Sequence, residues 1–148
     1  MSEELVKVRF KIKKDADGFP ETRDWEDLNC VQNGSVCEVR SIPFYLRDVA
    51  YGDKVRVRNE EDGNLEVDSF QSRGGYSVFR LWLRDEKENR LKVVKELVDL
   101  GLLVEWDGRL IALAVPPTRN LDEVISYIMA GKASGRWGAQ DGFVFEPK

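Results

Sequence analysis

The stretch Leu102-Leu-Val-Glu-Trp-Asp-Gly-Arg-Leu-Ile-Ala-Leu-Ala-Val115 decides the fold. Two short apolar runs flank Asp107-Gly108, and an Asp-Gly pair in that setting is a two-residue hairpin signal. Leu102 to Trp106 and Arg109 to Val115 are therefore predicted as paired strands. N-terminal to them, Leu91, Val94, Leu97 and Val98 form the apolar stripe of a helix that Asp85 caps, with Glu88 three residues on, and that Gly101 ends. C-terminal to them, Pro116-Pro117 stops the second strand, and Asn120 with Glu123 repeats the capping spacing. Leu121, Val124, Ile125 and Ile128 line this second helix until Gly131 to Gly135 loosens it. Strands at Tyr76 to Arg84 and Gly142 to Glu146 complete the set. The order β-α-β-β-α-β predicts a ferredoxin-like unit over residues 76–148, with both helices on one face of a four-stranded antiparallel sheet.

Residues 1–75 follow a period of two. Val6, Val8, Phe10 and Ile12 share one strand face, and Lys7, Arg9, Lys11 and Lys13 share the other. Asp17-Gly18 and Pro20 then interrupt the pattern. Further strands are predicted at Cys37 to Ile42, Lys54 to Asn59 and Leu65 to Ser72, the last two joined by the turn Glu61-Asp62-Gly63-Asn64. Several short strands separated by turns predict a small antiparallel β-barrel. The fold class is thus α+β, a barrel-like N-terminal half packed with a ferredoxin-like C-terminal half. Within the first half, Asn33-Gly34 as the centre of a type I′ turn would set Cys30 directly opposite Cys37. That pairing permits a disulfide, but Leu28 and Val39 lie on the same face, so both thiols are expected in the core as small apolar groups. Two cysteines with no histidine leave a zinc site incomplete.

The 148 residues include 23 basic and 27 acidic side chains, a net charge of −4, and no histidine. The missing histidine removes the usual general base and every Ser/His or Cys/His nucleophile arrangement. The negative excess belongs to the first half, with 12 basic and 16 acidic side chains in residues 1–75 against 11 of each in 76–148. No run approaches the roughly 20 apolar residues of a membrane span, and the N-terminus lacks signal-peptide features. A cytoplasmic protein is expected. No glycine-rich loop has nucleotide-binding spacing and no acidic cluster has calcium-loop spacing, so neither cofactor nor metal is expected.

Ile42-Pro-Phe-Tyr45 and Tyr51-Gly-Asp-Lys-Val55, followed by Gly75-Tyr-Ser-Val-Phe-Arg80 and Gly135-Arg136-Trp137, resemble a family of small bacterial proteins catalogued as a domain of unknown function. The resemblance spans roughly residues 25–140. It implies a fold-level grouping and a bacterial origin, and it carries no catalytic role onto any residue. Physically, Pro43 ends a strand, Phe44 and Tyr45 plug one end of a barrel, and Gly52 supplies a turn. In the alternative reading Tyr45, Tyr51 and Asp53 form a pocket mouth with an aromatic wall and polar tips.

Absent catalytic machinery, a binding protein is expected rather than an enzyme. A compact acidic body fits a basic protein partner, and the expectation is a toxin domain that an immunity protein would neutralise by direct binding. The contact residues proposed for it are Asp24, Trp25, Glu26 and Asp27, the acidic turn Glu60, Glu61 and Asp62, and Trp137 as a second aromatic anchor. The alternative is an RNA or small-ligand module. Lys7, Arg9, Lys11 and Lys13 would join Lys54, Arg56 and Arg58 around a groove, and Arg80, Trp82 and Arg84 would form an Arg-Trp-Arg stripe. An enzyme using Asp53 or Glu105 as base ranks last.

Overall fold

The computed structural model describes residues 4–13, 23–84 and 89–146. Five strands close a barrel in the order β1 (Leu5–Lys11), β2 (Trp25–Asn33), β3 (Val36–Val39), β4 (Lys54–Asn59) and β5 (Leu65–Ser72). Neighbours pair antiparallel except where β1 meets β5, a short parallel contact at Val8 with Leu65 and Arg9 with Glu66. Two register shifts in the β4–β5 ladder bend that hairpin, as closing so small a barrel requires. The alternation read from the sequence sets the interior: Val8, Phe10, Leu28, Cys30, Cys37, Val39, Val55 and Val57 all face it.

The second sheet is built from β6 (Ser77–Leu83), β7 (Leu103–Asp107), β8 (Leu110–Val115) and β9 (Trp137–Asp141), in the order β7-β8-β6-β9 with every pair antiparallel. Helices α1 (Arg90–Asp99) and α2 (Leu121–Ala133) pack on one face, where Val93, Leu97, Val124 and Ile128 meet Phe79, Leu81, Ile111 and Leu113. The cap predicted for α2 is present, Asn120 accepting from the Glu123 N–H at 3.2 Å. For α1 the cap is Asn89, which accepts from the Leu91 N–H at 2.9 Å; the Asp85 and Glu88 predicted for that role lie outside the described residues. Asp15, Asp17, Gly18 and Pro20 also lie outside them.

Both predicted hairpin turns are displaced by one residue. Asn33 pairs with Val36 and Asp107 with Leu110, so the central residues are Gly34-Ser35 and Gly108-Arg109. Glycine takes the first central position in each, at φ 66° and 59°, whereas a type I′ turn would also require Asn33 or Asp107 to adopt positive φ. Placing the glycine first confines the left-handed conformation to the one residue without a Cβ. The displacement moves the pairing by two residues, so every side chain keeps its face while its partner changes. Cys30 therefore lies opposite Val39 and Cys37 opposite Gln32, not opposite each other. Both thiols are free and buried, and burial, followed by the proximity of Cys37, pushes the Cys30 thiol up to about 12. A thiol reagent at pH 8 is expected to label native protein only at the rate of unfolding and to find two thiols once urea is added. Fast labelling of the native state would contradict the burial.

The last strand is the other correction. It runs from Trp137 to Asp141, whereas the sequence pointed to Gly142 to Glu146; there Gly142 and Phe143 still exchange backbone hydrogen bonds with Val78, and the Phe145 N–H donates to the Ser77 hydroxyl at 2.9 Å. Trp137-Gly138-Ala139-Gln140-Asp141 has no strand-like alternation, but two close fits put it there. The Trp137 indole lies against Gly131 of α2, and the Trp82 indole lies on Gly138, so that a Cβ at either glycine would sit 2.1 or 2.0 Å from ring atoms.

Candidate functional site

The strand expected at Cys37 to Ile42 ends at Val39 because the chain leaves the barrel there, and residues 40–53 cross the face of the second sheet that the helices leave open. Ile42 and Ala50 pack on Val78, Ala112 and Ala114, with Phe44, Tyr51, Tyr76 and Phe143 around them. This crossing segment joins the two halves, and it contains the Ile-Pro-Phe-Tyr and Tyr-Gly-Asp blocks.

Its ends pair with barrel backbone, Arg40 donating to the Asn29 carbonyl and Gly52 to the Val39 carbonyl, and between them charged side chains from both halves satisfy its backbone. Glu26 of β2 accepts from the N–H groups of Phe44, Tyr45 and Leu46 at 2.7, 3.0 and 3.1 Å. Arg80 of β6, only 2% exposed, donates to the carbonyls of Pro43 and Leu46. Glu105 of β7 accepts from the Ile42 N–H. At the far end Asp53, 0% exposed, accepts from the Ala50 N–H at 2.9 Å, the Gly74 N–H at 3.0 Å and the Arg73 guanidinium at 2.8 Å. Arg73 is itself held over the rings of Phe70 and Phe143.

Burial raises the Glu105 carboxyl above its ordinary value, outweighing the Ile42 N–H, which lowers it. A carboxyl raised on folding binds its proton more tightly in the folded state. The stability it confers is therefore fully present below the ordinary carboxylate value and is lost as pH rises from there through the folded value. Glu105→Gln keeps an acceptor for Ile42 and cannot ionise, so it should gain stability relative to the wild type as pH rises above the ordinary carboxylate value of about 4.3. Glu105→Ala leaves that N–H without its acceptor and should lose about 1–3 kcal/mol at acid pH and less as the wild type ionises, which urea unfolding would measure.

Two hollows flank the crossing segment and share Phe44 and Tyr45 as a wall. The first, of about 300 Å³, is bounded by Trp82 and Leu110 and floored by Arg80, with Lys13, Arg47 and Gln140 at its rim. The second, of about 460 Å³, runs to Trp25 and contains Arg9, Arg23, Asp27 and Asp107. Trp82 and Trp25 are 42% and 41% exposed, and Arg23 lies over the Tyr45 ring at 4.4 Å. Together they form an aromatic groove along the junction of barrel and sheet.

The residues named from the sequence disperse. Tyr45 lies in the groove, but Tyr51 packs on Tyr76 with ring centroids 5.0 Å apart, and Asp53 is the buried latch, so the three do not share a pocket. Trp25 is at the groove and Glu26 is engaged by the crossing segment, while Asp27 pairs with Arg9 at 3.8 Å. Asp24 is exposed and accepts the Ile12 N–H through its backbone. On the β4–β5 turn Glu60 binds Arg58 at 2.7 Å, Asp62 closes on Asn64, and Glu61 is exposed. Trp137, expected as a surface anchor, is 0% exposed and donates its indole N–H to the Ile128 carbonyl at 2.9 Å. The stripe of Arg80, Trp82 and Arg84 is also divided, because the Arg80 guanidinium is turned onto backbone carbonyls. Arg58, named for a basic groove, is held by Glu60, Glu66 and Asp68. Among the described residues no group of three His, Cys, Asp or Glu is placed to hold a metal ion, and no helix is long and apolar enough to cross a membrane.

Residues 26–139 match the family model described as Domain of unknown function (DUF4265). The chain belongs to the DUF4265 family. The match begins at Glu26 and ends at Ala139, so for DUF4265 it takes in the crossing segment, its clamps and the Trp82–Gly138 contact. A search of the curated proteins finds no match. Among solved structures, a hypothetical protein from Neisseria gonorrhoeae is similar over 99% of this chain and 100% of its own, with a TM-score of 0.74 and 10% identity. That likeness concerns the fold alone.

Proposed function

We propose that this DUF4265 protein is a binding protein whose ligand occupies the aromatic groove at the junction of barrel and sheet. The observation that carries the reading is the pair of half-exposed tryptophans, Trp25 and Trp82, at the two ends of a wall made by Phe44 and Tyr45. Large aromatic side chains left in water around a concave surface cost solvation, and a ligand that covers them recovers it. The wall is rigid, because Glu26 and Arg80 clamp its backbone from opposite sides. The strand order β7-β8-β6-β9 further supports reading the C-terminal half as a ferredoxin-like unit, which makes the sheet beneath the groove a fixed platform.

An immunity protein covering a basic toxin domain draws support from the net charge of −4, but Glu26 is engaged by three backbone N–H groups and Trp137 is buried. Reading of RNA by the basic strand faces would have to do without Arg58 and Arg80. The groove is therefore the stronger site. Screening a fragment library by ligand-observed NMR and mapping hits by amide shifts should concentrate them at Tyr45, Trp82 and Gln140, with loss of binding in Trp82→Ala. Hits confined to the Leu91 face of α1, or unaffected by Trp82→Ala, would remove the proposal.

A further inference from the structure

We infer that the hollow beside Trp82 binds a small planar anion, an aromatic ring bearing a carboxylate or phosphate, with the ring on the Trp82 indole and the charge among Lys13, Arg47 and Arg80. The inference rests on the groove reading above and assigns its ligand a chemistry.

The first support is local charge. In a protein with four more acidic than basic residues, this hollow is bordered, among the described residues, by three cations and no carboxylate. The neighbouring hollow includes Glu26, Asp27 and Asp107, and the hollow between β1 and β5, which Lys13 also borders, includes Asp48, Glu66 and Asp68, so the cations there face carboxylates. Arg47 is exposed, and Lys13 makes a 3.4 Å surface pair with Asp48, a contact weak enough to yield to a ligand.

The second support is Arg80. Its guanidinium is buried and bonded to two carbonyls, and among the described residues no carboxylate stands within ion-pair distance. Glu26 is the acid whose field reaches it, and the Glu26 oxygens are already engaged by three backbone N–H groups. Burial lowers the Arg80 guanidinium to about 10, the response of a cation short of compensation. An anion at the floor of the hollow supplies what the fold does not, and guanidinium suits both carboxylate and phosphate.

The third support is shape. The Trp82 indole lies directly on Gly138, where a Cβ would fall 2.0 Å from it, so one ring face is fixed against β9 while 42% of the residue stays exposed. About 300 Å³ is the lower end of small-ligand sites and admits one ring system with its anionic group rather than a dinucleotide. The Gln140 amide at the rim can address a polar edge of that ring.

The probes are 2-naphthoate and adenosine 5′-monophosphate, with 2-naphthamide and adenosine as neutral counterparts, titrated by calorimetry and by shifts of the Trp82 indole and Gln140 amide signals. At least one anion is expected to bind ten times or more tighter than its neutral counterpart, to weaken between 50 and 500 mM salt, and to lose tenfold or more in Lys13→Glu/Arg47→Glu. Both substituted residues are exposed, and an unchanged melting temperature would show that the fold is retained. Whichever anion binds identifies the source as carboxylate or phosphate. Equal binding of neutral and anionic probes, with no effect of the double substitution, overturns the anion inference and leaves the groove reading standing. Silence of every probe at Trp82, with the fragment screen silent there too, overturns both.

Discussion

Asp53→Ala is expected to remove about 3–5 kcal/mol of stability, the range for breaking a buried charged pair by deleting one partner. The carboxylate is fully buried and serves three donors, the N–H groups of Ala50 and Gly74 and the Arg73 guanidinium. Deleting it leaves two N–H groups inside with no acceptor, at about 1–3 kcal/mol each. No backbone shift can replace it, because Gly74 approaches Gly52 so closely that a Cβ on Gly74 would lie 2.5 Å from the Gly52 carbonyl oxygen. Arg73→Met should cost clearly less, since Asp53 would keep two N–H donors and Arg73 is partly exposed. Urea unfolding of the two variants checks the ranking. If Asp53 were instead a pocket residue, as one reading of the Tyr-Gly-Asp block had it, Asp53→Ala would leave stability nearly unchanged.

The strands of the barrel were legible because Val8, Phe10, Leu28, Cys30, Cys37 and Val39 alternate with polar residues, and that parity survived even where the turn moved by one residue. The clamps were not legible. Arg80 alternates with Phe79 and Leu81, and in a sheet with one wet face that pattern assigns it to solvent. Here the second face is covered by residues 40–53, so the same parity sends a guanidinium into the interior, where carbonyls released by Pro43 and its neighbours meet it. Nothing local in the sequence signals that cover. Glu26 was concealed in a similar way, as one acid in a run of acids, although only it aligns with the three N–H groups of residues 44–46.

Site and fold therefore have a common origin. A segment too irregular to pair with a strand needs charged side chains to satisfy its backbone, and those charges must be buried to reach it. Glu26 meets that need with its own N–H partners, whereas Arg80 meets it with net positive charge left over beside Lys13 and Arg47. The aromatic wall and the cationic floor of the groove are thus consequences of how the barrel is attached to the sheet. The motif residues of the Ile-Pro-Phe-Tyr block act in that attachment, with Phe44 and Tyr45 left facing the groove.

Trp137→Ala is expected to cost about 3–5 kcal/mol, as for other large aromatic side chains removed from a core. An exposed partner anchor would show the opposite, intact stability with lost binding. The packing argument can be tested further through Gly131, whose missing Cβ makes room for the indole. With Trp137 in place, Gly131→Ala forces ring and helix apart and should destabilise by about 1–3 kcal/mol, since neither the buried ring nor α2 can yield freely. With Trp137 replaced by alanine the obstruction is gone, and the intrinsic preference of a helix for alanine over glycine, about 0.8–1 kcal/mol, should make the same substitution stabilising. The effect of Gly131→Ala should therefore change sign between the two backgrounds, and the double variant should be more stable than the sum of the single losses. Strictly additive losses in urea unfolding would mean that Gly131 and Trp137 are not in contact, and that β9 is not held to α2 by this fit.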